Sequence, residues 1–423
     1  MPSSSLSHAD PKSSDSIAVP RLVVGLAIAQ VCSLLGSAAF ATTLVRLATV
    51  WHLDSSRAGW ISSAYFLGYA LGVPLLVALT DHINPLAVYG AGCIIGALAG
   101  IGFALFAHGI WSAFIFQALA GVATGGTYMP GLRLLTIRLS GSARIRAVPY
   151  FTTAYSIGTS VSFLLCGWLA ERNGWRAAFL AGAAGCIASA LLALFAIRGI
   201  PVQPDLSVVS QRHPLDFRPV LRNRRALAYV LAYGGHCWEL FAFRSWLPTY
   251  LLCAWHHLRV GEPGITVSRW SMLIILIGVP ASILGAEVVH GRNRNLLIRS
   301  FQIASIVTCI LSVLAANISY PLALVALFLY NIAIMADSGA LTAGTVAVAR
   351  ADEQGATLAI YSFVGFIGAA VGPLLAGRAL DLGGGFKMLH AWYFGFIAMG
   401  LGSAIAAMAM SRAFRPEKAE YEL

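Results

Sequence analysis

Charge is what this chain has least of. Only 11% of its 423 residues are Asp, Glu, Lys or Arg, against about 25% in a soluble domain, which excludes a soluble globule of ordinary type. Enzyme signatures are missing too. There is no phosphate-binding Gly-rich loop, no Gly-x-Ser-x-Gly elbow and no metal-spaced His or Cys set, so no catalytic activity, metal or cofactor is expected. The seven cysteines (Cys32, Cys93, Cys166, Cys186, Cys237, Cys253, Cys309) all fall in apolar runs and read as small buried hydrophobes. The first residues, MPSSSLSHADPKSSDSIAVP, lack the basic start and short apolar core of a signal peptide. Residues 1–20 are expected to be an uncleaved, disordered tail.

What the chain does have is apolar sequence, 58% of it, in runs near the ~20 residues that cross a bilayer. Twelve spans are expected, at 22–50, 57–80, 86–108, 111–137, 146–170, 176–198, 226–255, 265–289, 295–316, 320–349, 355–380 and 388–411. With the N-terminus inside, eighteen Lys and Arg fall in inner segments and seven in outer ones. This positive-inside bias puts both termini in the cytoplasm of a plasma (inner) membrane protein. It also accounts for the net charge of +11 without nucleic acid.

The stretch at 197–226, IRGIPVQPDLSVVSQRHPLDFRPVLRNRRA, divides the spans six and six. The halves share detail. Span 2 ends GVPLLVALTD (Gly72–Asp81) and span 8 ends GVPASILGAE (Gly278–Glu287), while Tyr155-Ser156 and Tyr361-Ser362 share the same offset. Spans 5 and 11 close with GWLAE (Gly167–Glu171) and GRALD (Gly377–Asp381). The expected fold is an all-α membrane protein of 12 transmembrane helices, two parallel six-helix bundles related by pseudo-symmetry. The bundles are 21–198 and 226–412, joined by a cytoplasmic linker at 199–225, with a cytoplasmic tail at 413–423.

Twelve spans in two halves, a basic central loop and acids at inner span ends resemble the major facilitator superfamily of secondary transporters, over roughly 20–412. The resemblance implies a carrier of small molecules. Against the family's Gly-x-x-x-Asp-Arg-x-Gly-Arg-Arg signature, VALTDHINPL keeps Asp81 and loses the glycines and arginines. GAEVVHGRNR keeps an acid and a Gly-Arg pair, and Gln117 stands where span 4 often has arginine. The antiporter glycine-proline motif is missing from SIGTSVSFLLCG of span 5, which argues against a drug antiporter. The pattern is most similar to small-anion branches such as cyanate-type permeases.

An ionisable side chain in the bilayer costs several kcal/mol and marks function by default. Span 7, in AYGGHCWELFAFRSWLPTYLL, carries His236, Glu239 and Arg244. At 100° per residue, His236 and Arg244 lie ~80° apart and Glu239 ~60° to the other side, so all three can face one aqueous cavity. A mid-membrane arginine without an adjacent carboxylate wants an anion, which a substrate can be; the other reading is a structural pair with another span. Asp337 lies in mid-span 10. Asp337 and Glu239 are candidates to carry a coupling proton, with His236 as relay. Asp337 reads equally as counter-ion to Arg133 or Arg244. Tyr128, Gln117, Tyr155, Tyr361 and Asn331 offer neutral hydrogen bonds to a polar solute, and each singly reads as helix packing. Trp238 walls the site or packs. Asp81, Glu287 and Arg133 are candidate gating residues that tie inner loops and helix ends between the halves; Arg133 reads equally as an inner-interface anchor.

The expected function is secondary active transport of a small polar, anionic solute, by alternating access, coupled to protons as an importing symporter. The partners are substrate, proton and bilayer, and a monomer is expected. The alternative is proton-coupled efflux of cationic or amphipathic compounds through Glu239 and Asp337. A non-transporting sensor or scaffold on the same frame would expect a signalling domain, which the sequence does not show.

Overall fold

The computed structural model describes residues 12–202, 220, 222–258, 261, 265–350 and 354–413. Most of the expected linker and C-terminal tail, and residues 1–11, lie outside the described residues. Among those described the structure is all helical. Ten helices are long and apolar enough to cross a membrane. The remaining two spans, 1 and 7, depart from that pattern for separate reasons.

Span 1 is broken. Its first helix, Lys12–Ser33, begins inside the segment expected as tail, and its second is Ala39–Trp51. Helix interruptions at membrane depth persist only where other groups satisfy the freed backbone. Ser162 of span 5 does so here: its hydroxyl donates to the Leu35 carbonyl at 2.8 Å and accepts from the Ala38 N–H at 2.9 Å. At the break, Gly36 crosses Gly182 of span 6 so closely that a Cβ would sit 2.7 Å from the Gly182 Cα. Gly235 of span 7 and Gly402 of span 12 make the corresponding crossing in the second half. Small residues allow such backbone approach.

Span 7 is one continuous helix, Arg224–His257, with Asn223 accepting from the Ala226 N–H as its N-cap. Its apolar run is interrupted by His236, Glu239 and Arg244, and Ala242–Leu251 is buried at every position. It is the most deeply buried of the spans. The other spans are Ser55–Leu79, Pro85–Phe106, Ile110–Thr136, Gly141–Asn173 and Trp175–Ile197 in the first half. In the second half, span 9 is Arg294–Ala315, span 11 Gln354–Leu382 and span 12 Ala391–Ala413. Span 8 divides into Thr266–Leu276 and Gly278–Val289, and span 10 into Tyr320–Ala336 and Ser338–Val348, with Asp337 at the joint.

The halves meet along spans 2 and 11 and along spans 5 and 8. Tyr69 stacks on Phe366 at 3.8 Å between ring centroids, and Phe66 lies 4.6 Å from Phe241 of span 7. The facing sides are buried at Ser55, Gly59, Phe66 and Ala70 of span 2 and at Ala369, Pro373, Gly377 and Leu380 of span 11. Followed toward the termini, the same faces emerge: Pro74 and Asp81 of span 2 and Gly355 and Ala359 of span 11 are exposed. The two bundles are therefore shut at the face opposite the termini and apart at the face that carries them.

Candidate functional site

Arg244 occupies the middle of the buried helix. It is 7% exposed. Its guanidinium lies 5.7 Å from the Phe241 ring centroid, and one terminal nitrogen is 3.9 Å from the Met335 sulfur. Its Nε has no partner, and among the described residues no carboxylate pairs with it. Across the gap between halves, Tyr155 of span 5 stands in its neighbourhood. Tyr155 in turn sits edge-on to Tyr128 at 5.1 Å, with Tyr65 and Tyr69 of span 2 in the same neighbourhood. A buried, unpaired cation thus faces a group of four tyrosines from the other half. Buried charges are ordinarily paired; this one has its counter-charge still to come.

His236 and Asp337 form a buried pair, with Nδ1 to Oδ1 at 2.8 Å. The expected pairing of Asp337 with Arg133 or Arg244 is corrected: Gln302 of span 9 donates to its second oxygen at 3.2 Å, and His236 takes the first. The cause is rotation. Asp337 sits where span 10 breaks and is turned toward span 9 and His236, away from Arg244. Tyr233 lies parallel to His236 at 5.8 Å and to Tyr361 at 3.8 Å, and the Tyr361 hydroxyl meets the Thr342 hydroxyl at 2.9 Å. The pair therefore sits at the head of an aromatic stack that reaches span 11.

Glu239 does not share this space. Tyr330 of span 10 donates to one carboxylate oxygen at 3.0 Å and Ser403 of span 12 to the other. Its offset on the far side of the helix from Arg244 points it into the interior of the second half, so the single cavity expected for all three span 7 residues is replaced by three separate environments. Asn331 is likewise turned inward: it is fully buried and donates to the Ile274 carbonyl at 2.6 Å, bracing the break in span 8. The Trp238 indole donates to the Ala398 carbonyl of span 12 at 2.9 Å, a packing contact within its own half. Gln117 is buried with no hydrogen bond among the described residues, and lines a cavity inside the first half with Ser33, Tyr65, Thr124 and Thr127.

The expected gating set divides. Asp81 pairs with Arg133 at 2.5 Å; both belong to the first half, so this pair does not tie the halves together as expected. Glu287 is exposed, with no side-chain bond among the described residues. Sequence reasoning missed Tyr233, Gln302, Tyr330, Ser403 and Met335. Gln302 carried a signal, as an amide in the apolar run SFQIASIVTCI, and Tyr233 lies one turn before His236. Met335 and Ser403 carried none. No group of three or more potential metal ligands exists among the described residues.

Comparison with known proteins places this geometry. The family profile described as Major Facilitator Superfamily matches residues 26–337. A niacin transporter of Acinetobacter baylyi is 24% identical over 290 residues, 62% of this chain and 64% of that protein. The chain thus spans just under two thirds of that relative's length. A gallate transporter of Pseudomonas putida is 22% identical over 85% of this chain and 84% of its own. Among solved structures, a bacterial homolog of the human lysosomal transporter Spinster, inward-facing and occupied, superposes with a TM-score of 0.77 at 15% identity, over 96% of this chain and 97% of that one. At that identity the likeness concerns the fold.

Proposed function

The chain belongs to the Major Facilitator Superfamily, a family of membrane transporters, and on that premise we propose that it imports a small organic carboxylate, of aromatic type, together with a proton. The observation that carries the reading is Arg244: a buried guanidinium without a carboxylate partner, opposed across the halves by Tyr155. A planar guanidinium grips a carboxylate through two parallel hydrogen bonds. The Phe241 ring beside it and the tyrosines of spans 2, 4 and 5 offer stacking surfaces and hydroxyl donors for a ring. Two relatives named for carriage of niacin and gallate support the same class. The competing reading, efflux of cations through Glu239 and Asp337, is less well supported, since both acids already engage donors within the protein.

The proton path we assign to Asp337 and His236. Their pair lies at the joint of span 10, so neutralising it acts directly on the angle between Tyr320–Ala336 and Ser338–Val348. Glu239, held by two donors, serves the packing of spans 7, 10 and 12 in this reading. With the termini in the cytoplasm of the plasma membrane, the open face is the inner one, and transport proceeds by rocking one bundle against the other.

Proteoliposomes with an imposed pH gradient test the proposal against benzoate-like carboxylates, aliphatic carboxylates, cyanate and lipophilic cations. Saturable, gradient-driven uptake of the aromatic acids is expected, abolished by Arg244→Ala. If cations move instead and Arg244→Ala is silent, the anion reading is lost.

A further inference from the structure

At one point on the closed face a single carboxylate bridges the two bundles. Asp381 ends span 11 in the second half. One of its oxygens accepts from the Ser55 N–H at 2.9 Å; the other accepts from the Ser56 N–H at 2.7 Å and the Ser56 hydroxyl at 2.5 Å. Ser55 and Ser56 are the first residues of span 2, in the first half. The first N–H groups of a helix have no partner inside it, and that end carries the positive pole of the helix dipole. Span 2 is capped from both halves. Its own Asp54 takes the Arg57 N–H at 2.7 Å, and the two remaining leading N–H groups go to a carboxylate 326 and 325 residues away. The Ser55 hydroxyl returns the contact by accepting from the Phe386 N–H at 3.1 Å. One turn before Asp381, Gly377 lets span 11 lie directly against the Ser55 carbonyl, where any Cβ would collide.

We infer that Asp381 is the latch of the face opposite the termini: it caps the first turn of span 2 in the closed state, and its release is required for that face to open. Among the described residues, the pseudo-symmetric contact lacks the carboxylate bond. Gly167 of span 5 lies against the Ser268 side chain near the start of span 8. Glu171, the acid four residues on, interacts with Arg46 of its own half. The two seams of this face therefore differ. Spans 5 and 8 close on packing, and spans 2 and 11 close on packing plus four hydrogen bonds between halves. Charge-assisted bonds to a carboxylate are among the stronger kinds, so the span 2–span 11 seam sets how readily the face opens. The inference concerns which face is open, and stands whatever solute is carried.

Hydrogen–deuterium exchange on the full chain in lipid nanodiscs tests it, without any substrate. Asp381→Ala removes every acceptor. Asp381→Asn keeps one good cap acceptor and is expected to fall between Ala and the unaltered protein, and it serves alone if Ala does not fold. With the latch gone, exchange of peptides covering 53–67 and 374–386 rises by about fivefold or more, the low end for coupling between sites. Peptides covering 71–83 and 354–365, at the opposite end of the same helices, become more protected as that end closes. Exchange that rises at 55–58 alone, with the termini-side peptides unchanged, would show an ordinary helix cap and overturn the latch. So would an Asp381→Ala profile indistinguishable from the unaltered protein.

Discussion

Replacing Arg244 by methionine is expected to make the empty protein more stable while destroying its binding site. The side chains are of similar length, so the substitution leaves little cavity. In the ligand-free state the guanidinium has the Met335 sulfur at 3.9 Å and the Phe241 ring, with Nε unpartnered. Apolar replacement of buried ionic groups is neutral or stabilising by about 1–4 kcal/mol, and here there is no partner to strand. At about 2–4 °C per kcal/mol for units near the size of one bundle, the melting midpoint should rise by a few degrees. Binding goes the other way. Truncating one member of a buried charge pair costs about 2–5 kcal/mol, roughly 30- to 4,000-fold in affinity at 1.4 kcal/mol per tenfold. Thermal unfolding followed by tryptophan fluorescence, with and without a transported carboxylate, measures both. The unaltered protein should gain about 2.7 kcal/mol at a hundred times Kd, and Arg244→Met at the same concentration no more than about 0.9 kcal/mol. A variant that melts below the unaltered protein without ligand would show that Arg244 supports the fold, and the reasoning from an unpaired charge would fail.

Other substitutions separate the remaining roles. Asp337→Asn should retain substrate exchange between equal compartments while losing accumulation against a gradient; accumulation that persists removes the His236–Asp337 pair from the proton path. Glu239→Gln turns an amide N–H₂ toward the Tyr330 or Ser403 donor, and should lower the thermal midpoint by the equivalent of about 1–3 kcal/mol with gradient coupling intact. Ser162→Ala strips the brace from the break in span 1, leaving the Ala38 N–H without its side-chain acceptor and the Leu35 carbonyl with the Cys166 thiol at 3.1 Å. A similar loss of about 1–3 kcal/mol is expected, with faster amide exchange confined to residues 34–42. Gly402→Val forces spans 7 and 12 apart beside Glu239 and should cost about 1–3 kcal/mol, visible as a lower midpoint in detergent.

The sequence by itself determined the number of spans, the division into halves and the residues worth suspecting. Those follow from quantities that run along one dimension. Hydropathy over about twenty residues answers to bilayer thickness, and charge between spans answers to topology. Arg244 was legible as a buried cation poorly placed for an acid on its own helix, and packing decided that no other described span supplies one. Partners were another matter. His236 took Asp337, Glu239 took Tyr330 and Ser403, Asn331 took the Ile274 carbonyl, and Asp381 took a helix end in the other half. Each choice depends on the rotation of one helix about its axis and on where it crosses another, and hydrophobic periodicity is nearly blank in helices buried on most sides. The breaks in spans 1, 8 and 10 were invisible for a related reason. In spans 1 and 8 a side chain from elsewhere in the fold takes a backbone group at the break, and only packing brings it there.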